Sequence, residues 1–332
     1  MSKLILTADS GKFMTKTIGV TYESNMLEGK RNSFRSKYYD LKDGDIELAG
    51  NSFFVEYEGE KIIIGEQGTI DGSSETNKAT ILHKLCIYTA ITRYIRPKES
   101  TEVYIVLACP LNLLKSTEYK EEYKSFIMNG GKEITILVDS EEFNFIIKDI
   151  TIKSEGSGIL YLNKERFNDC EIGLIDIGGL NMQFCKYVNG VPQPESRFTE
   201  MTGSTKLIED LREDLEIFRK GKPVTFGQAE QALQDKVLKL NNIEIDESRE
   251  IIRNRISKYI ENDVIRNITK RRISLDLLQP VVVGGTCINI KEELKVAIEN
   301  IEIQEDPQWA PIDGLFKIAV AKYSKKFTNN NI

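Results

Sequence analysis

A single histidine, His83, and a single tryptophan, Trp309, occur in 332 residues. One histidine excludes a multi-histidine zinc site, and a Ser-His-Asp triad would have to be built on His83 alone. That residue lies in a stretch of helical spacing, which favours a packing role. The five cysteines (Cys86, Cys109, Cys170, Cys185, Cys287) form no C-x-x-C pair. They sit mostly in apolar runs and read as buried free thiols of a protein in a reducing compartment. No apolar run approaches the ~20 residues needed to span a bilayer, and the run after Met1 is too short for a secretory signal. The tail from Lys322, KYSKKFTNNNI, has no apolar face to anchor on a membrane and reads as a frayed terminus. The expected location is the cytoplasm, with no membrane partner. A net charge of -6 and a pI near 5.3 leave no broad basic face, so direct nucleic-acid binding is not expected.

What is present is a chain 40% hydrophobic and 29% charged, able to bury two cores. It is organised around Glu171 to Val188, EIGLIDIGGLNMQFCKYV. Ile172, Leu174 and Ile175 lead to Asp176, then Gly178 and Gly179, and Met182, Phe184 and Tyr187 resume a strand pattern. This reads as strand, glycine turn, returning strand. A carboxylate at the end of a buried strand needs a partner. Bare glycine backbone beside it can approach a ligand and aim N–H groups at an anion. Together they suit a metal-bound phosphate. The layout repeats near the N-terminus: Leu4 to Leu6, then Asp9, Gly11, and a second run from Thr17 to Tyr22. Two acidic turns could be ordinary β-hairpins, but their repetition favours a pair of phosphate grips.

Between and after the hairpins, residues 31–65 are strand-like, with Ile62 to Ile64 as a buried strand. Helical spacing over 79–95 places Ile81, Leu85, Tyr88 and Ile91 on one face, and Pro97 ends the segment. Val103 to Cys109 is a continuous apolar strand of the kind covered on both faces. Ile134 to Val138 and Phe143 to Ile152 form a β pair. Ser204 or Thr202 is expected to cap a helix running to about Arg219, Thr225 to cap the next, and 246–272 to form one long charged helix. Gln279 to Gly284 is an apolar strand, followed by helices near 290–298 and 315–327.

These segments, in this order, resemble the actin, Hsp70 and sugar-kinase ATPase superfamily. LTADSGKFMTK looks like its first phosphate loop, with Asp9 and Gly11 matching and Lys16 at the place of the phosphate-contacting lysine of the actin branch. IDIGGLN looks like the second phosphate loop, TGSTKLIEDL like the start of the adenosine-side helix, and PVVVGGT like the glycine pair flanking adenine. The resemblance implies an α/β, actin-like fold: two related RNase H-like domains flanking a nucleotide cleft. It places them at 1–157 and 158–305, with 306–332 crossing back onto the first. It implies ATP or GTP with Mg²⁺. Asp9 and Asp176 would hold the metal through water. Ser10, Gly11, Lys12, Lys16, Gly178, Gly179 and Leu180 would contact phosphates, and Gly203, Ser204, Lys206, Gly284, Gly285 and Thr286 the nucleoside. Glu155, by its placement in KSEGSGI between the last strand of the first half and the second loop, would orient the attacking water, with Asp176 and Asn181 as the other catalytic candidates. Without the family, Glu155 reads as a helix-terminal glutamate.

Three positions depart from the family pattern. Lys12 stands at the usual hydroxyl position with Ser10 two earlier, Asn181 replaces a common threonine, and Gln183 replaces an aspartate. Length argues against an Hsp70 chaperone, and no sugar-deprotonating aspartate is evident. The chain most resembles bacterial actins of the ParM plasmid-segregation group. That implies a filament whose disassembly follows hydrolysis, with a second copy of itself and a small DNA-binding adaptor as partners. A monomeric small-molecule kinase of the same fold and a nucleotide-binding scaffold with little hydrolysis are the alternatives.

Overall fold

The computed structural model describes residues 1–22, 28–41, 44, 46–72, 77–162 and 164–329. The chain divides into two compact units, one of Met1–Leu162 with Pro311–Ile332, the other of Asn163–Ala310.

In the first unit the strands are β1 (Ser2–Ser10), β2 (Met14–Thr21), β3 (Lys30–Arg35), β4 (Lys37–Asp40), β5 (Ser52–Tyr57), β6 (Glu60–Gly65) and β7 (Ile70–Asp71). Helix α1 (Ile81–Thr92), β8 (Ser100–Cys109), α2 (Thr117–Met128), β9 (Ile134–Val138), β10 (Glu141–Ser154) and α3 (Ile159–Leu162) follow. Among the described residues they form one sheet in the order β3-β2-β1-β8-β10-β9-β5-β6-β4-β7. Its middle is parallel, β1 with β8 and β8 with β10. Parallel strands need cover on both faces, and Val103 and Ile105 to Cys109 are accordingly buried. Helix α1 is buried almost all round, because its sequence carries few charges. The expected apolar stripe is therefore too narrow a description, and Ile81, assigned to it, is 49% exposed.

The second unit contains β11 (Glu171–Ile177), β12 (Met182–Val188), β13 (Val191–Pro192), β14 (Phe198–Glu200), α4 (Ser204–Phe218), α5 (Phe226–Asp235), β15 (Leu238–Leu240) and β16 (Ile243–Ile245). These are followed by α6 (Ser248–Tyr259), α7 (Arg266–Thr269), β17 (Gln279–Val283), α8 (Cys287–Ala297) and β18 (Glu302–Ile303). Its main sheet runs β13-β12-β11-β17-β18, with β11 parallel to β17 and β17 to β18. Hairpin, then parallel neighbour, then a further parallel strand is the scheme of β2-β1-β8-β10 as well. The repetition read in the sequence is thus a repetition of topology.

Three local expectations change. The helix expected over 246–272 is α6, a wide π-type turn at Ile260–Ile265, and α7. The cause lies at the Asp263 carbonyl, which accepts from Thr202 Oγ1 at 3.2 Å and Asn267 Nδ2 at 2.7 Å, so side chains compete for a helix acceptor. Neither Ser204 nor Thr202 caps α4; Gly203 stands at its N-cap. Thr225 does cap α5, in a reciprocal box with Gln228. The short helix α3 stays with the first unit because Gly158 and Gly314 touch backbone to backbone: a Cβ on either would lie within 2 Å of the other segment's carbonyl oxygen (Pro311 O at 1.7 Å, Gly158 O at 1.8 Å). Gly314 belongs to the last helix, α9 (Ala310–Asn329). Among the described residues no helix is long and apolar enough to cross a membrane. All five cysteines are free thiols, four buried and Cys170 partly exposed.

Candidate phosphate and metal site

In the first unit, β1 runs out at its sheet end into Asp9, whose cross-strand neighbour on β2 is Lys16. The tight hairpin brings the Lys16 Nζ to 3.1 Å from Asp9 Oδ2. The turn needs glycine at position 11, since a Cβ there would stand 2.7 Å from the Met14 carbonyl oxygen. Two strands along the sheet, β10 ends in a turn carrying Glu155, anchored by its N–H to the Cys109 carbonyl at 3.0 Å. The next helix, α3, starts four residues later at Ile159.

Between these two carboxylates stands a residue that the sequence reading did not select. Lys78, just before α1, is only 2% exposed. Its ammonium lies 3.4 Å from Asp9 Oδ1 and makes a short ion pair with Glu155 Oε1. Burial alone would favour the neutral amine, but the Glu155 and Asp9 carboxylates outweigh it and hold Lys78 protonated well beyond its ordinary range. Burial likewise would raise the Asp9 pKa, and Lys16 and Lys78 reverse that and lower it. Two carboxylates and two ammonium groups thus form one compensated cluster. Lys78 was missed because it follows a polar loop with no motif around it. The one available signal was a lysine two residues ahead of the capping threonine of an apolar helix, Thr80.

Lys12, also expected at the phosphates, is held within the first unit. It is 9% exposed and its Nζ donates to the Gly72 carbonyl at 2.9 Å. Ser10 is fully buried and bonds Thr15 Oγ1 at 3.3 Å.

In the second unit Asp176 occupies the matching position on β11, and its cross-strand neighbour is Gln183. The amide thus stands where Lys16 stands in the first hairpin. The loop after Asp176 is fastened from two sides. Gly178 N–H closes the turn onto the Asn181 carbonyl at 2.9 Å. The N–H groups of Gly203, Ser204 and Thr205 donate to the carbonyls of Leu180, Gly178 and Gly179 at 3.0, 3.0 and 2.8 Å. Thr286 Oγ1 donates to the Gly178 carbonyl at 2.9 Å. The first amides of α4, expected at the nucleoside, therefore hold the loop instead, and this is why α4 needs no side-chain cap. Lys206 is paired with Asp210 at 2.9 Å. Gly203 is required by this contact, as its Cβ would meet the Gly179 oxygen at 2.5 Å. Gly284, at φ +100°, lies against Asp176: a Cβ would stand 2.8 Å from Oδ1 and 2.3 Å from the Ile177 oxygen. Gly285 is roomier, its nearest neighbour being the Gln308 side chain at 3.7 Å.

Among the described residues, the N–H groups of Gly11, Gly179 and Leu180 have no intramolecular acceptor. None of these residues forms a cluster of three or more acidic, histidine or cysteine ligands. A metal caged by protein does not fit the described residues. A hydrated Mg²⁺ held by one or two carboxylates and by phosphate oxygens does, with donor amides beside an ionised aspartate.

Residues 7–158 match the family model of the N-terminal domain of actin-like proteins. The solved structure described as the Alp12 filament is 39% identical to the chain, over 97% of this chain and 100% of that one, with a TM-score of 0.71. The chain belongs to the actin-like proteins. An archaeal actin homologue solved with ADP shares the fold at 19% identity, covering 97% and 100% of the two chains, TM-score 0.72. A ParM from a 15-stranded filament of Clostridium botulinum does so at 17%, covering 96% and 99%, TM-score 0.69. Among curated proteins no sequence matches it. Two further ParM structures share the fold of this actin-like protein at 16% and 17% identity.

Proposed function

We propose that this actin-like protein is an ATPase that assembles into filaments and disassembles as its nucleotide is hydrolysed, moving plasmid DNA through a small DNA-binding adaptor at the filament end. The observation that carries the reading is the repeated hairpin, with Asp9 and Asp176 in equivalent registers, each followed by loop amides that have no internal acceptor. The 39% identical relative, whose solved form is a filament, supports assembly. The archaeal homologue solved with ADP supports an adenine nucleotide, with GTP as the competing substrate.

In this reading each hairpin serves nucleotide phosphate. Gly11, Gly179 and Leu180 offer N–H donors to phosphate oxygens, and Lys16 adds a point charge on the Asp9 side. Asp9 and Asp176 are each assigned to hydrated Mg²⁺, which when bound would neutralise phosphate charge. Glu155 accepts a hydrogen bond from the attacking water and sets its line of approach. Gly203, Ser204, Thr205 and Thr286 keep the second loop in shape. Lys206, Gly284 and Gly285 are assigned to the nucleoside side.

The test combines light scattering with phosphate release on one sample of protein, ATP and Mg²⁺. Scattering should rise on ATP addition and decay as phosphate accumulates. No scattering in any nucleotide would refute assembly. Polymer without phosphate release would favour the scaffold reading, for which Gln183 in place of an acid beside Asp176 is the supporting feature.

A further inference from the structure

The Lys78 ammonium touches both the carboxylate assigned to the metal and the carboxylate assigned to the water. In hydrolysis the terminal phosphate must lie between the metal and the attacking water, because one binds its oxygens and the other attacks its phosphorus. The cation already spanning those two carboxylates is therefore placed where the terminal phosphate brings new negative charge. Lys16 and Asp9 form a pair of their own at 3.1 Å. Lys78 is a cation that Glu155 shares with Asp9, and while Glu155 Oε1 is engaged with it, that carboxylate is held against the ammonium rather than turned to a water. The other ionisable groups near Lys78 are Tyr123 and Cys109, both buried, Tyr119, whose hydroxyl oxygen accepts from the Lys78 backbone N–H, and His83, which is held neutral.

We propose that Lys78 reads the terminal phosphate. It ties Glu155 to Asp9 when the site holds no nucleotide or a diphosphate, and shifts to a γ-phosphate oxygen when a triphosphate binds, releasing Glu155 to position water. This rests on the nucleotide reading above and adds to it how triphosphate is told from diphosphate. An ammonium–phosphate contact is charge-assisted and present only with the triphosphate, so its loss should act on one affinity and spare the other.

The experiment is calorimetric titration of full-length protein with Mg²⁺ and either a nonhydrolysable ATP analogue or ADP, at protein concentrations where scattering shows no polymer. Lys78→Met should weaken the ATP analogue by about ten- to a hundredfold, the range for a hydrogen bond to a charged group. ADP should weaken by less than about threefold, since it makes no such contact. Because Lys78→Met leaves Glu155 buried without its cation, the double variant Lys78→Met/Glu155→Gln is measured alongside; it should recover thermal stability and keep the lost discrimination. If both affinities fall by the same factor in both variants, Lys78 is a structural cation and the proposal is wrong. Wild-type protein that binds neither nucleotide would sink the nucleotide reading itself and this one with it.

Discussion

Replacing His83 by asparagine should flatten the acid side of the stability profile, by an amount the structure sets. His83 is 1% exposed. Its backbone N–H points to Thr80 Oγ1 at 3.5 Å, and the same oxygen lies 2.8 Å from His83 Nδ1. A hydroxyl that accepts at the helix cap has its proton left to donate, so Nδ1 is the acceptor and the ring proton sits on Nε2, assigned from this network. Nε2 has no partner among the described residues. Protonation would remove the acceptor at Nδ1 and bury a cation near Lys78 and Lys12. Burial first, and those lysines second, hold the pKa down to about 3. The folded value thus lies below the ordinary value of about 6.5. The unfolded chain takes a proton that the folded chain refuses, so this contribution is complete above about pH 6.5 and is lost as pH falls toward about 3. Integrated from about pH 7.5 to about pH 5, the loss is about 2 kcal/mol. Side-chain carboxylates, ordinarily near 4, add little over that window, and there is no second histidine. The assay is urea denaturation across that range, with a probe on the first unit, since two units need not unfold together. His83→Asn keeps an acceptor for Thr80 and should lose about 2 kcal/mol less than wild type. Equal slopes in the two proteins would refute the buried neutral histidine.

Glu155→Gln should bind ATP and assemble while phosphate release falls by about 10²-fold, and its filaments should outlast wild type in scattering; release at the wild-type rate would move the water to another group. Gly284→Ala places a Cβ against Asp176 and the Ile177 oxygen, so nucleotide affinity and thermal stability should drop together; a variant with unchanged affinity would free Asp176 from its assigned role. Thr225→Ala removes the side-chain acceptor of a capping box while keeping the backbone N–H that donates to Gln228, and should cost about 1 kcal/mol in urea melts of the second unit, with ATP affinity untouched.

The hairpins were legible because each is a local event. An apolar run, an acid and a glycine specify strand, carboxylate and turn within a dozen residues, and the register that pairs Asp9 with Lys16 follows from turn length. The order of loops carried the family and the fold. What stayed hidden was long-range. Lys78 reaches Glu155 from 77 positions away in sequence, and no local pattern marks a lysine that a distant carboxylate will claim. The capture of the α4 amides by carbonyls of the 178–180 loop was hidden for the same reason: a capping residue is a sequence signal, but a backbone acceptor brought by another segment is not. Lys12 has a long-range partner as well. Position in a phosphate loop suggested its role, while the Gly72 carbonyl, 60 residues on, took its ammonium.

The return of α9 to the first unit sets an order of events during synthesis. The second unit is one continuous segment, whereas the first is interrupted and resumes only at Pro311. Tyr323 donates to the Ile105 carbonyl at 3.0 Å, and the Tyr104 ring packs against Phe327 at 4.7 Å. Arg31 grips Asp313 at 2.6 Å. As the nascent chain emerges, one face of the central strand β8 therefore stays bare until the last twenty or so residues have been made, while the segment encoded later already has all its parts. The half that is translated first is the half that is finished last, and for that interval its aromatic seam waits for its cover.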